Sequence, residues 1–126
     1  RHNYRVDVSL DARRLEVYLR GERVRQVPIG VGRGGAALQT DTYFTTELLR
    51  PSTPDAVYGA YAYVLSGNGD DLAAFTGGDG ELGIHAAADD TPIEDASAPG
   101  CIRARTTDLA SLVDELPLGV PVTIGP

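Results

Sequence analysis

Apolar and polar residues alternate almost one for one through the first thirty positions of the chain. Tyr4, Val6, Val8 and Leu10 alternate with Arg5, Asp7 and Ser9, which predicts a strand with one buried face. Asp11-Ala12-Arg13-Arg14 reads as a turn. Leu15, Val17 and Leu19 then alternate with Glu16, Tyr18 and Arg20, and Gly21-Glu22 stands where a tight hairpin needs a residue of positive φ. Arg23–Val31 is expected to return as the partner strand. After a Gly-rich loop at Gly30–Gly35, Thr42–Leu48 is rich in β-branched and aromatic residues and predicts another strand.

From Arg50 to Gly80 the composition shifts towards Pro, Gly, Asp and Tyr, so long loops are expected around one strand at Tyr61–Leu65. The short apolar piece Leu72–Phe75 leaves room there for one helical turn. From Thr106 the period changes. Leu109, Leu112, Val113 and Leu116 fall at i, i+3, i+4 and i+7, the spacing of an amphipathic helix. Thr106 or Thr107 is expected to cap it, Asp108 suits its first turn, and Pro117 stops it. Val120–Ile124 predicts a last strand. The elements add up to a mainly β domain with one clear helix, without internal repeat, low-complexity run or linker.

Length and composition narrow this picture. A chain of 126 residues fits one domain. Its 42% apolar content is ordinary for a folded core, and 15 Gly with 8 Pro favour a loop-rich fold over a helical bundle. Eighteen acidic residues against eleven basic ones, all of them Arg, give a net charge of −7, so the long-range field repels nucleic acid and anionic lipid. No stretch approaches the roughly 20 apolar residues that span a bilayer. The chain begins at Arg1 rather than Met, so any export signal or anchor is expected to lie outside it. The single cysteine, Cys101, cannot form an internal disulfide or by itself a thiolate metal site. It is either a small buried hydrophobe or a nucleophile.

Several patterns suggest chemistry, and most fail on context. Gly30-Val31-Gly32-Arg33-Gly34-Gly35 satisfies G-x-G-x-x-G after a strand, but Leu38–Phe44 has no helical period and the chain lacks the alternating helices of a dinucleotide fold. Gly77-Gly78-Asp79-Gly80-Glu81-Leu82 is a single copy of a pattern that binds calcium only in stacked repeats. Asp70-Asp71 and Asp89-Asp90 miss the spacing of an EF-hand and read as solvated turns. Gly83-Ile84-His85-Ala86 and Ala98-Pro99-Gly100-Cys101-Ile102-Arg103 carry more information. His85 lies 16 residues before the only cysteine, and the other histidine, His2, stands at a terminus. A thiol nucleophile needs a base to become thiolate, and imidazole titrates near neutrality. Gly100 lets the chain turn sharply and leaves successive backbone N–H groups to hold an oxyanion. Spacing alone leaves the alternative open, in which Cys101 is packing and His85 a satisfied structural residue.

These residues resemble the catalytic domain of the L,D-transpeptidase or YkuD-like family, whose signature is His-Gly followed by S-x-G-C-[IV]-R. His85, Gly100, Cys101, Ile102 and Arg103 match it, with Gly83 and Ile84 before the histidine and Asp108 opening the last helix. Thr46–Pro51, Tyr58–Ala62 and Gly77–Gly80 look like the actinobacterial branch. The resemblance runs from Tyr4 to Ile124 and implies one catalytic domain over those residues. The sequence departs from the family at Ala86, Ala98 and Pro99, and Leu38–Asp41 replaces a Thr-Pro-x-Gly segment.

The resemblance implies a β-sandwich or barrel-like fold with a helix and a cysteine peptidyltransferase site, with neither cofactor nor metal. Cys101 would take the acyl group of a peptidoglycan tetrapeptide stem and release D-Ala, with His85 as base and the N–H groups of Gly100 and Cys101 as oxyanion donors. Arg103 would pair with a substrate carboxylate or form a structural salt bridge. Tyr58 and Tyr61 would line the cleft, with packing as the alternative. The implied partners are stem peptides and carbapenem-type inhibitors, in an extracytoplasmic setting, with no nucleic acid and no membrane insertion by this domain. A second expectation, from the three departures, is an impaired domain that binds peptidoglycan or a partner without chemistry. A sortase-like enzyme also places His before Cys but separates them far more widely.

Overall fold

A computed structural model describes residues 3–31, 41–49, 61–66, 82–87, 93 and 102–126. The opening alternation forms β1 (Tyr4–Ser9) and β2 (Arg14–Leu19), which pair antiparallel, Val6 opposite Val17 and Val8 opposite Leu15. These four side chains are buried and their neighbours face outward, as a period of two requires. The hairpin to β3 (Glu22–Pro28) turns on Arg20-Gly21, both at positive φ (53° and 84°). Two such residues make the turn whose twist matches the strands. The expected turn at Gly21-Glu22 is therefore displaced by one residue, and Glu22 pairs with Leu19 instead.

The expected single return strand Arg23–Val31 divides. β3 pairs with β2, while Gly30–Val31 forms a separate strand, β4, paired antiparallel with β8 (Ile102–Arg105). The remaining strands among the described residues are β5 (Asp41–Leu49), β6 (Ala62–Ser66), β7 (Leu82–Ala87) and β9 (Pro121–Gly125). They join in the order β3-β2-β1-β9-β5-β6-β7-β8-β4. In a flat sheet the outermost of nine strands stand about 38 Å apart at the usual strand spacing. Pro28 and Gly30, which flank Ile29 between the two edge strands, are held within about 7.6 Å by covalent geometry. The sheet therefore curls until its edges meet, enclosing a core that includes Val6, Val17, Val27, Ile29, Leu65, Ile84, Ile102, Val122 and Ile124.

The late helical period forms α1 (Thr106–Val113), which buries Leu109 and Leu112 and packs on β7 and β8. Asp108 sits in its first turn, as expected. The cap differs from expectation. Arg105, with extended backbone, occupies the N-cap without a side-chain bond, because Thr106 Oγ1 instead donates to the Ala87 carbonyl at 2.8 Å. The far end is held by Tyr63, whose hydroxyl donates to the Leu116 carbonyl at 2.9 Å with the Leu112 carbonyl at 3.3 Å. Tyr63→Phe keeps the ring and removes that donor, so stability should fall by about 1 kcal/mol, or roughly 3–6 °C in melting temperature. Differential scanning calorimetry reads this directly, and an unchanged midpoint would mean that water replaces the hydroxyl without loss.

Candidate active site

His85, Arg103 and Thr45 are the buried polar or charged side chains among the described residues. Such groups are informative, since desolvating them is unfavourable unless something uses or satisfies them. Thr45 is accounted for structurally. Its hydroxyl donates to the Pro117 carbonyl and accepts from Val120 N–H, tying β5 to the loop before β9. The other two stand side by side. β7 and β8 run parallel with Ile84 opposite Ile102 and His85 opposite Arg103.

Strand alternation explains what each face does. Ile84, Ala86, Ile102 and Ala104 belong to the hydrophobic core. His85 and Arg103 point to the other face, yet they are only 2% and 5% exposed, so β7 and β8 are covered on both sides. Along this row the neighbours are small. Ala62 of β6 pairs with His85 and Gly30 of β4 pairs with Arg103, which leaves the room on this face to the imidazole and the guanidinium. Arg103 Nη1 donates to the Ile93 carbonyl at 3.5 Å, one of its contacts, and so links β8 to the segment between β7 and Cys101. Just before His85, Gly83 lies so near β6 that a Cβ there would stand 2.8 Å from the Tyr63 carbonyl oxygen. Any larger residue would push the two strands apart beside the histidine.

The residues singled out in the sequence divide accordingly. The structure brings His85 and Arg103 together. Tyr61 is half-buried and packs against the hydrophobic core, and its carbonyl accepts Ala86 N–H at 3.0 Å. Ala86, where the resembled family has glycine, places its methyl in the core and away from the His85 face. Cys101, Gly100 and Tyr58 lie outside the described residues, as do Ala98, Pro99 and the acidic pairs. Cys101 is joined directly to Ile102, the first residue of β8, which is fully buried and paired with Ile84. Of the Gly-rich run, Gly30 and Val31 form a paired edge strand. Among the described residues no group of three His, Cys, Asp or Glu side chains is placed to hold a metal ion.

The neighbour relations on this face leave no local sign in the sequence. That Ala62 and Gly30 flank the His85–Arg103 pair depends on strand pairing between segments up to 73 residues apart.

Residues 3–124 match the family described as the L,D-transpeptidase catalytic domain, YkuD. The chain is 32% identical over 123 residues to YkuD of Bacillus licheniformis and 30% identical over 121 to YkuD of Bacillus subtilis. Nearly all of this chain is covered in both comparisons, 98% and 96%, and it spans about two thirds of those relatives, 66% and 65%. Among solved structures, Bd1075 of Bdellovibrio bacteriovorus superposes with a TM-score of 0.76 at 25% identity, covering 98% of this chain and 48% of that one. Mycobacterium tuberculosis L,D-transpeptidase 3, in complex with a faropenem-derived adduct, shares the fold with a TM-score of 0.71 at 15% identity, covering 99% and 61%. The mainly β architecture, the buried histidine before β8 and the match along almost the whole length agree. The chain belongs to the YkuD family of L,D-transpeptidase catalytic domains.

Proposed function

We propose that this domain is a peptidoglycan L,D-transpeptidase that works through Cys101 in the cell envelope, outside the cytoplasm. The observation that supports it most is the buried His85–Arg103 pair on β7 and β8, at the strand that Cys101 leads into. Two polar side chains held out of water on one face, beside the small residues Ala62 and Gly30 among the described residues, suit a site for chemistry better than a packing layer.

In the proposed reaction the Cys101 thiol gives its proton to His85 as the sulfur attacks the carbonyl between the diamino acid and the terminal D-Ala of a tetrapeptide stem. The N–H groups of Gly100 and Cys101 stabilise the tetrahedral oxyanion. Its collapse breaks the peptide bond, and D-Ala leaves with the proton that His85 returns, so that a thioester remains on Cys101. An acceptor amine then attacks the thioester. His85 takes the amine proton, a new amide forms, and the thiol is restored. Arg103 acts through the chain, bonding the Ile93 carbonyl in the segment that leads to the nucleophile, and its planar fork suits pairing with a carboxylate. Residues Tyr4–Ile124 serve as one catalytic domain. β-Lactams, as in the faropenem adduct of the mycobacterial relative in fold, would acylate the same thiol.

Incubation with a carbapenem should add the mass of one inhibitor to the intact chain, and Cys101→Ala should abolish the gain. D-Ala should appear on incubation with a tetrapeptide stem. The departures Ala98 and Pro99 favour a second reading, a domain that binds stem peptides without chemistry. Absence of both adduct and D-Ala, with stem binding unchanged by Cys101→Ala, would replace the first reading with the second.

A further inference from the structure

The charge of the chain is unevenly placed. Residues 1–28 carry seven arginines against four acids, and residues 29–126 carry four arginines against 14 acids. In a chain that is acidic overall, the segment that forms the β1–β3 meander is thus net basic. Within it lies a depression of about 290 Å³ lined by Ala12, Arg13, Arg14, Gln26 and Pro28.

The backbone around it is tied down. Ser9 Oγ accepts Ala12 N–H at 3.1 Å, Ile29 N–H donates to the Arg13 carbonyl at 3.1 Å, and Arg14 pairs with Pro28 across the hairpin. Arg13 is held at φ 54°, a conformation that favours glycine, and its Nη1 donates to the Leu10 carbonyl. The Arg13 guanidinium is thus tied to the turn by its bond to the Leu10 carbonyl. Arg14 Nε is buried and has no hydrogen-bond acceptor among the described residues. Its nearest carboxylate oxygen, on Glu16, is 3.9 Å away, while that side chain's other oxygen accepts from Arg23 Nη1 at 2.7 Å. Neither Glu16 nor Asp11 lines the depression.

We propose that this depression binds an oxyanion, a carboxylate or phosphate group carried by a ligand, with Arg14 as the principal contact and Arg13 and Gln26 as its flanks. Two guanidinium groups beside an amide supply the donors that planar or tetrahedral oxyanions accept. The site stands apart from the His85 row but near it. Arg14 pairs with Pro28, and two residues on Gly30 pairs with Arg103, which keeps the two arginine Cα atoms within about 19 Å. Both arginines lie on the face away from the core.

The test is titration of the ¹⁵N-labelled chain with inorganic phosphate and, separately, with acetate, at constant ionic strength held by chloride. The Arg14 Nε–H resonance should move saturably, with a midpoint of about 1–10 mM for the preferred ion. Saturation by phosphate alone, by acetate alone or by both assigns the source of the oxyanion. Arg14→Gln should remove the saturable response at Gln26. Arg13→Gly, which suits the backbone at that position and so leaves the fold intact, should weaken it several-fold. A linear shift shared by all arginines, or saturation that persists in Arg14→Gln, would overturn the proposal. None of these outcomes depends on transpeptidase activity.

Discussion

His85→Gln should slow acylation of Cys101 by a carbapenem by a factor of about 10²–10⁴, the range that a positioned general base supplies. The substitution isolates the proton-accepting role. Glutamine nearly matches imidazole in volume and keeps a polar head on the face shared with Arg103, but it takes no proton near neutral pH. His85 sits on a strand paired on both sides, with Ala62 and Arg103 opposite it, so the backbone around the substitution is held by the ladder. The melting temperature should therefore stay within a few degrees of the parent chain while the rate collapses. Time-resolved intact-mass measurement gives the rate and calorimetry gives the fold. Acylation at the parent rate in a folded His85→Gln chain would remove histidine from the mechanism.

The largest effect on stability should come from Leu109→Ala, at about 2–5 kcal/mol, which for a chain of this length lowers the melting temperature by roughly 10–20 °C. Leu109 is completely buried, in a helix of only eight residues. So short a helix does not hold itself together in water and depends on its apolar face. With Leu109 truncated, α1 is left on β7 and β8 by Leu112, the partly buried Val113 and the hydrogen bonds at the two ends, Thr106 to Ala87 and Tyr63 to Leu116. The vacated volume cannot collapse easily against a paired sheet. A fall of less than about 3 °C, within the scale set by a 1 kcal/mol change, would show that the helix is peripheral to the cooperative unit. Below the midpoint the acylation rate should be unchanged.

What could be read in the sequence was what local periodicity encodes. β1, β2 and β9 each have one buried face, and their alternation predicted them within a residue or two. α1 was equally legible from Leu109 and Leu112. Where both faces are covered, as at Ile84–Ala87 and Ile102–Ala104, alternation disappears, and only the motif residues drew attention to that segment. The division of Arg23–Val31 into two strands falls at Pro28-Ile29-Gly30 and was masked by Val27, Ile29 and Val31, which stay buried across it while the hydrogen-bonding partner changes from β2 to β8. The displaced cap has a similar cause. Thr106 is a good capping residue by type, but the nearby Ala87 carbonyl, 19 positions back in the chain, takes its hydroxyl.

The position of β9 bears on how the chain comes together in time. It lies between β1, with which it runs parallel, and β5, with which it runs antiparallel, so Val122 is partnered by both Val6 and Tyr43. Until β9 arrives, β1 and β5 each present an open edge, and the meander and the half bearing His85 are two unjoined sheets. Closing a contact between Val6 and Val122 is the kind of long-range step that places β proteins among the slower folders, on a scale of milliseconds to seconds. During that interval the two bare edges are the surfaces on which chains would stick to one another, and the strand made last is the one that covers both.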